Sequence, residues 1–267
     1  MDVVKLSSLD LGLAAFLVVL VGLMSFRSRL QLEKRLFIAG LRTTVQLLLV
    51  GQVLKLVFSF SNLGYIMLIA AFMLVVAGRE VTARQHRKLK GLYGWFVGTG
   101  SLCISSLTVT LFALIVLIGN QPWYAPQYAI PLLGMMIGNT MNGVALSMDR
   151  LVDGLWQQRQ AVEQRLMLGQ TGEQASREIR QAAMRSGMIP IINSMAAAGL
   201  VSLPGMMTGQ ILGGSPPMEA VKYQILIMFL IASGTGFGIA VAMWLSARKL
   251  FDDRHRLRLD FLKEGRR

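Results

Sequence analysis

From Leu11 to Phe26 the chain reads LGLAAFLVVLVGLMSF, sixteen residues without a charge. Six more apolar runs follow, at about Leu36 to Phe58, Leu63 to Gly78, Gly91 to Gly119, Tyr128 to Met148, Met188 to Gly213 and Ala220 to Ser246. A helix needs roughly 20 apolar residues to cross the ~30 Å hydrocarbon layer, and inside that layer every backbone N–H and C=O must find its partner within the protein. The pattern therefore predicts an all-α, polytopic membrane protein with about seven transmembrane helices. Composition agrees, with 54% apolar residues, 15% charged and a mean hydropathy of +0.54 over 267 residues. The whole chain, 1–267, reads as a single transmembrane domain. The first run follows Asp2, Lys5 and Asp10 rather than a basic leader, and ends at RSR without a small-residue cleavage pattern, so it reads as a retained helix.

The net charge of +13 matters through its placement. Arg27, Arg29, Lys34 and Arg35 occupy the first connection, Arg79, Arg84, Arg87, Lys88 and Lys90 the third, and Arg150, Arg159, Arg165, Arg177, Arg180 and Arg185 the fifth. Eight more lie between Arg248 and Arg267, whereas the alternate connections SN, NQPWYAPQ and GSPPME carry none. Lys and Arg in short loops stay cytoplasmic, so the expected topology has the N-terminus outside and the C-terminus in the cytoplasm. The basic excess is topological and implies no nucleic acid; anionic membrane lipid is its natural partner.

The one long polar connection, 149–187, reads as a helix, a sharp turn and a second helix. Leu151, Leu155, Val162 and Leu166 share one helical face. Gly169 is placed to end the first helix, Thr171 with Gln174 makes a capping box for the second, and Gly187 and Pro190 are expected to close it.

Several chemistries are excluded. Cys103 is the single cysteine, and His86 and His255 sit among charged loop residues, so neither a disulfide framework nor a Cys/His zinc site follows. There is no GxxxxGK[ST] phosphate loop and no hydrolase triad pattern, and Asp10, Glu80, Asp149 and Glu219 fall at the ends of spans rather than within them. The chain thus reads as no enzyme, without a cofactor of its own, and without a proton relay.

What the spans do carry is a repeat: GMMIGN at 134–139 and GMMTGQ at 205–210. Gly134 with Gly138, and Gly205 with Gly209, are GxxxG pairs suited to close helix packing in lipid. Asn139, Asn142 and Gln210 are amides that need partners there, either from other helices or from a hydrated pathway. Pro204 cannot donate to the carbonyl of Leu200 and so weakens its helix beside Met206 and Met207. Exposed carbonyls at broken helices form ion sites in transporters, and thioethers suit soft metals; methionine is also ordinary packing material. Arg42, followed one turn on by Gln46, either snorkels to the headgroups or lines a pathway.

Three long blocks, IPLLGMMIGNTMNGVAL (130–146), EQRLMLGQTGEQAS (163–176) and GLVSLPGMMTGQILGGSPPMEAVKYQI (199–225), together with an arginine in the second span followed by TTVQLLLVGQVLK, resemble the FetB-like family. Its members are membrane subunits of a bacterial ABC exporter associated with iron, with plant relatives linked to aluminium tolerance. The resemblance covers almost the whole chain. It implies a homodimer in the bacterial inner membrane, served by two copies of a separate cytoplasmic ABC ATPase that holds the ATP and magnesium, with a metal ion as substrate. Glu163 and Gly169 keep the glutamate-to-glycine interval of the EAA motif through which such permeases couple to their ATPases, and Ile179 keeps a later apolar position. Gln164 and Arg165 stand in place of its alanines and the following LP is absent, so the match is partial. On this resemblance Gln160 to Ser176, with Thr171 and Gln174 at its turn, is the expected ATPase-coupling element. Met135, Asn139, Asn142, Met206 and Gln210 are the expected pathway groups. Two rivals are an ATPase-independent channel or carrier and a seven-helix sensor or scaffold; copurification of an ATPase separates them. Neither the transported metal nor its ligands is legible in the residues.

Overall fold

The computed structural model describes residues 7–59, 62–252 and 254–262, so Asp2, Lys5, Ser61 and the basic residues beyond Leu262 lie outside the described residues. Among the described residues the elements are helical. Six helices are long and apolar enough to cross a membrane: Ser8–Arg27, Glu33–Lys55, Leu63–Arg84, Tyr93–Ile118, Pro126–Gln157 and Pro217–Leu250.

Helix α1 (Ser8–Arg27) begins where Ser7 and Asp10 cap each other: the Asp10 amide donates to Ser7 Oγ and the Ser7 amide to the Asp10 carboxylate. Helix α2 (Glu33–Ser59) follows a short turn in which the buried Ser25 hydroxyl donates to Glu33 and accepts from the Leu32 amide. These two helices form one compact unit, whose apolar side chains are largely exposed, as helices facing hydrocarbon require.

Everything from Asn62 on, apart from 212–214, forms the second unit. Helix α3 (Leu63–Arg84) starts at Asn62, whose side chain accepts from the Gly64 amide. Helix α4 (Tyr93–Leu102) runs through a π-turn at Cys103–Leu107 into α5 (Thr108–Phe112) and a second π-turn at Ala113–Ile118, which Gly119 ends in the left-handed region at φ +62°.

Helix α6 (Pro126–Gln157) is the spine of this unit, continuing past Asp149 instead of stopping there. Its residues Leu151 and Leu155, and Val162 of α7 (Arg159–Met167), are 1% exposed, so the face read from the sequence is the buried one. After the short α8 (Gly172–Ala175) comes α9 (Arg177–Ala197), which departs from expectation. Neither Gly187 nor Pro190 closes a helix; α9 runs through both. Gly187 is there for proximity: a Cβ on it would lie 2.6 Å from the Gly143 carbonyl oxygen of α6 and 2.8 Å from Ile239 Cδ1. Ile239 belongs to α11 (Pro217–Leu250), so α6, α9 and α11 meet at this point.

The expected span Met188 to Gly213 is likewise not one helix. The chain leaves α9 at Ala197 and turns at Gly199 (φ +85°), where the Gly199 amide donates to the Ser202 carbonyl; α10 (Gly205–Leu212) then begins directly after Pro204. Pro204 therefore precedes a helix rather than kinking one, because without an N–H it fits an N-terminus and not an interior.

Beyond α11 the chain folds back as a small hairpin in which Phe251 pairs with Leu257, and Leu262 pairs with Leu89 of the connection between α3 and α4. Asp252 anchors the hairpin by accepting from the backbone amides of Arg256 and Arg254, and these bonds hold its carboxyl below the usual aspartate range.

Candidate functional site

Two places in the second unit gather the residues that sequence reasoning singled out. The first is a cavity of about 280 Å³ between the N-terminal halves of α6 and α11 and the short α10. Met135 of α6 and Met206 and Gln210 of α10 all line it, with Gln127, Tyr128, Pro131, Ser215 and Tyr223 as their neighbours and Leu132, Leu226, Ile227 and Leu230 as apolar wall. The break at 198–204 starts α10 as a separate helix, and that separate helix carries Met206 and Gln210 to the cavity. Pro131, inside α6, has no N–H for the carbonyl of Gln127, and both residues line the cavity. Gln210 Oε1 is buried and has no hydrogen-bond partner among the described residues. The donor set is thus two thioethers, amides, a serine hydroxyl and phenols.

The other pathway candidates are placed differently. Asn139, exposed, donates one Nδ2–H back to the Met135 carbonyl at 2.9 Å within α6. Asn142 accepts from Arg84 at the end of α3. Below it the same connection grips α6 twice more, through the His86 amide on Asp149 at 2.6 Å and the Arg87 guanidinium 4.3 Å over the Trp156 ring. Arg42 and Gln46 are exposed on α2, in the first unit, and are not among the cavity's lining residues.

The repeated glycines behave unlike their motif. A Cβ on Gly138, Gly205 or Gly209 would meet nothing within 4 Å, and on Gly134 only Met73 Cε at 3.3 Å. Among the described residues a GxxxG pair in closer use is Gly234 with Gly238, where added Cβ atoms would fall 2.4 Å from Met136 Cε and 2.5 Å from Thr140 Cγ2.

The second place is the turn between α7 and α9. Gly169 adopts φ +89°, a conformation costly for any side chain, and ends α7. Thr171 Oγ1 accepts from the Gln174 amide while Gln174 Oε1 accepts from the Thr171 amide at 2.9 Å, so the capping box forms. Ion pairs of 2.9 Å, Arg165 with Glu178 and Arg180 with Glu173, tie the turn to α9. Glu163 stands exposed on α7. Beside the turn is an open groove of about 470 Å³ lined by Thr171, Glu173, Gln174, Arg177, Arg180, Gln181 and Met184.

Over residues 8–251 the chain matches a family described as Uncharacterised protein family UPF0014. It is a member of the UPF0014 family. A UPF0014 membrane protein of Synechocystis, slr1647, is 44% identical over 76% of this chain and 77% of its own. The probable iron export permease protein FetB of Escherichia coli is 34% identical over 96% of both chains, and the protein ALUMINUM SENSITIVE 3 of Arabidopsis thaliana is 32% identical over 91% of this chain and 88% of its own. No solved structure matches. A UPF0014 chain with this many apolar helices is a multi-pass membrane protein.

At the turn of this UPF0014 chain, sequence reasoning missed Met167 and Leu168, which are 85% and 83% exposed. The signal was present: LML at 166–168 puts three apolar residues in a row on a charged helix, and only Leu166 fits the buried stripe begun by Val162. The other two must point away from the core.

Proposed function

We propose that this protein is the membrane subunit of an ATP-driven exporter of iron or another metal ion, acting as a homodimer in the bacterial inner membrane with a separate cytoplasmic ATPase. The observation that carries the reading is the broken segment α9–α10, which delivers Met206 and Gln210 to a cavity already walled by Met135. Discontinuous helices near the bilayer midplane are a recurrent construction for transport sites. The dimensions fit. From Arg185, the last charge on α9, to the helix end at Ala197 is about 18 Å of helix, a little over half of the roughly 30 Å hydrocarbon layer. Counted as one interrupted crossing, α9 and α10 bring the six continuous helices to seven. That returns the chain to the cytoplasm when the N-terminus is outside, in keeping with the alternation of basic connections.

Iron, and the outward direction, rest on the name of the Escherichia coli relative. The ATPase rests on the family resemblance and on a sequence without a phosphate loop. The homodimer, too, rests on the family resemblance. In the proposed cycle, ATP-driven closure of the ATPases pushes the 160–176 turn, and α6, α10 and α11 reopen the cavity toward the other side.

The test is reconstitution. Vesicles holding the chain and its ATPase should couple ferrous-ion movement to ATP turnover, and vesicles with either protein alone should do neither; uphill movement by the chain alone overturns the reading. In the coupled system Gln210→Leu should leave assembly intact and lower flux about tenfold, the loss expected when a polar group on a charged cargo is removed. Flux at the unsubstituted level takes Gln210 out of the pathway.

A further inference from the structure

Gly172, the first residue of α8, is buried against the ring of Phe251. A Cβ at Gly172 would stand 2.5 Å from Phe251 Cδ1, 2.7 Å from Cγ and 3.2 Å from Cβ, so the backbone of the turn rests on the root of that side chain and not on a flexible tip. Phe251 directly follows Leu250, the last residue of α11, which is fully buried. Its backbone is pinned on both sides: it pairs with Leu257, and the Arg258 amide donates to the Leu250 carbonyl at 2.8 Å. The ring therefore cannot shift far without moving the end of α11. Along its axis α11 is a stiff hydrogen-bonded rod of 34 residues whose opposite half, through Tyr223 and Leu230, walls the cavity.

We propose that Phe251 is a positioning residue that transmits displacement of the 160–176 turn into α11, and through it to the cavity. The inference rests on the reading of that turn as the ATPase-docking element. A push on the turn presses Gly172 against the ring, and the hairpin behind the ring converts that pressure into movement of α11 instead of letting it dissipate in a loose tail. Only glycine permits the contact, because any side chain at 172 would lift the turn off the ring.

The experiment uses the full chain with its ATPase and compares Phe251→Ala, Phe251→Leu and Gly172→Ala. Phe251→Ala should retain the ATPase in the purified complex and retain ATP hydrolysis, while ferrous ion moved per ATP falls about tenfold. Gly172→Ala should do the same, and Phe251→Leu, which keeps an apolar cushion, should recover most of the loss. Hydrogen exchange on the purified chain alone supplies the second arm: Phe251→Ala should speed exchange of the amides at 172–176 about tenfold and leave 130–146 unchanged. Unaltered transport per ATP in Phe251→Ala, or unaltered exchange at 172–176, overturns the inference. A wild-type chain that retains no ATPase sinks the docking reading instead, and the exchange arm then decides alone whether Phe251 holds the turn.

Discussion

Gly187→Ala should lower the thermal midpoint of the purified protein by roughly 3–10 °C, the equivalent of about 1–3 kcal/mol of overpacking in a chain of this size. Gly187→Leu should yield no monodisperse protein. The added Cβ would sit 1.9 Å from Ser147 Oγ, 2.6 Å from the Gly143 carbonyl oxygen and 2.8 Å from Ile239 Cδ1. The serine hydroxyl can rotate away, but the carbonyl belongs to the backbone of α6, so the helices themselves must separate. The contact is reciprocal, since a Cβ on Gly143 would lie 3.1 Å from the Gly187 carbonyl oxygen and 2.6 Å from Thr235 Cγ2. Gly138→Ala and Gly209→Ala are the controls. Nothing lies within 4 Å of either new methyl, so their midpoints should hold or rise by a few degrees, the roughly 0.5–1 kcal/mol that alanine gains over glycine inside a helix. Differential scanning fluorimetry of the three alanine variants in one detergent checks the contrast. Equal shifts at 187 and 138 would mean that α6 and α9 do not touch as described.

Replacing Met167 and Leu168 together with aspartate should abolish capture of the ATPase, weakening binding by about thirtyfold or more, and leave the melting temperature of the chain unchanged. Both side chains stand almost wholly free of the fold, so removing them costs it little. An exposed apolar pair at the end of a braced polar turn has the makings of an interface hot spot, for which losses of 2 kcal/mol or more are usual. The brace matters because a preordered knob spends less entropy on docking. It consists of Gly169 at positive φ, the Thr171/Gln174 box and the Arg165–Glu178 pair. Pull-down of the ATPase by the double variant, with melting recorded in parallel, separates the outcomes: full capture removes the tip from the interface, and a lowered melting temperature shows that it supports the fold instead.

Six of the seven expected spans were legible from hydropathy, and so was the Thr171/Gln174 box, which acts between neighbours three residues apart so that spacing alone identifies it. The caps at Ser7/Asp10 and Asn62 are equally local and went unread. The core-facing stripe of buried Leu151, Leu155 and Val162 and half-buried Leu166 was legible for the same reason as the box, helical period being a local property. The candidate site was only half legible. Apolar context and the repeated hexapeptide point to Met135, Met206 and Gln210, and these three do share a cavity, but Asn142 proves to be held by Arg84 and Asn139 by its own helix.

Glycine shows most clearly where local reading ends. The same residue type, in the same apolar surroundings, is open space at Gly209, a forced turn at Gly199 and a backbone crossing at Gly187. By itself the sequence determined that the chain lives in a bilayer, how its helices are patterned and which family it resembles, because transfer from water is settled residue by residue and long motif blocks are read directly. Only the tertiary structure decided that α9 ends at Ala197 and hands over to α10, that Gly143 meets Gly187, and that Phe251 lies under Gly172. Those contacts join residues far apart along the chain, and they depend on where helix axes cross, which no run of neighbouring side chains specifies.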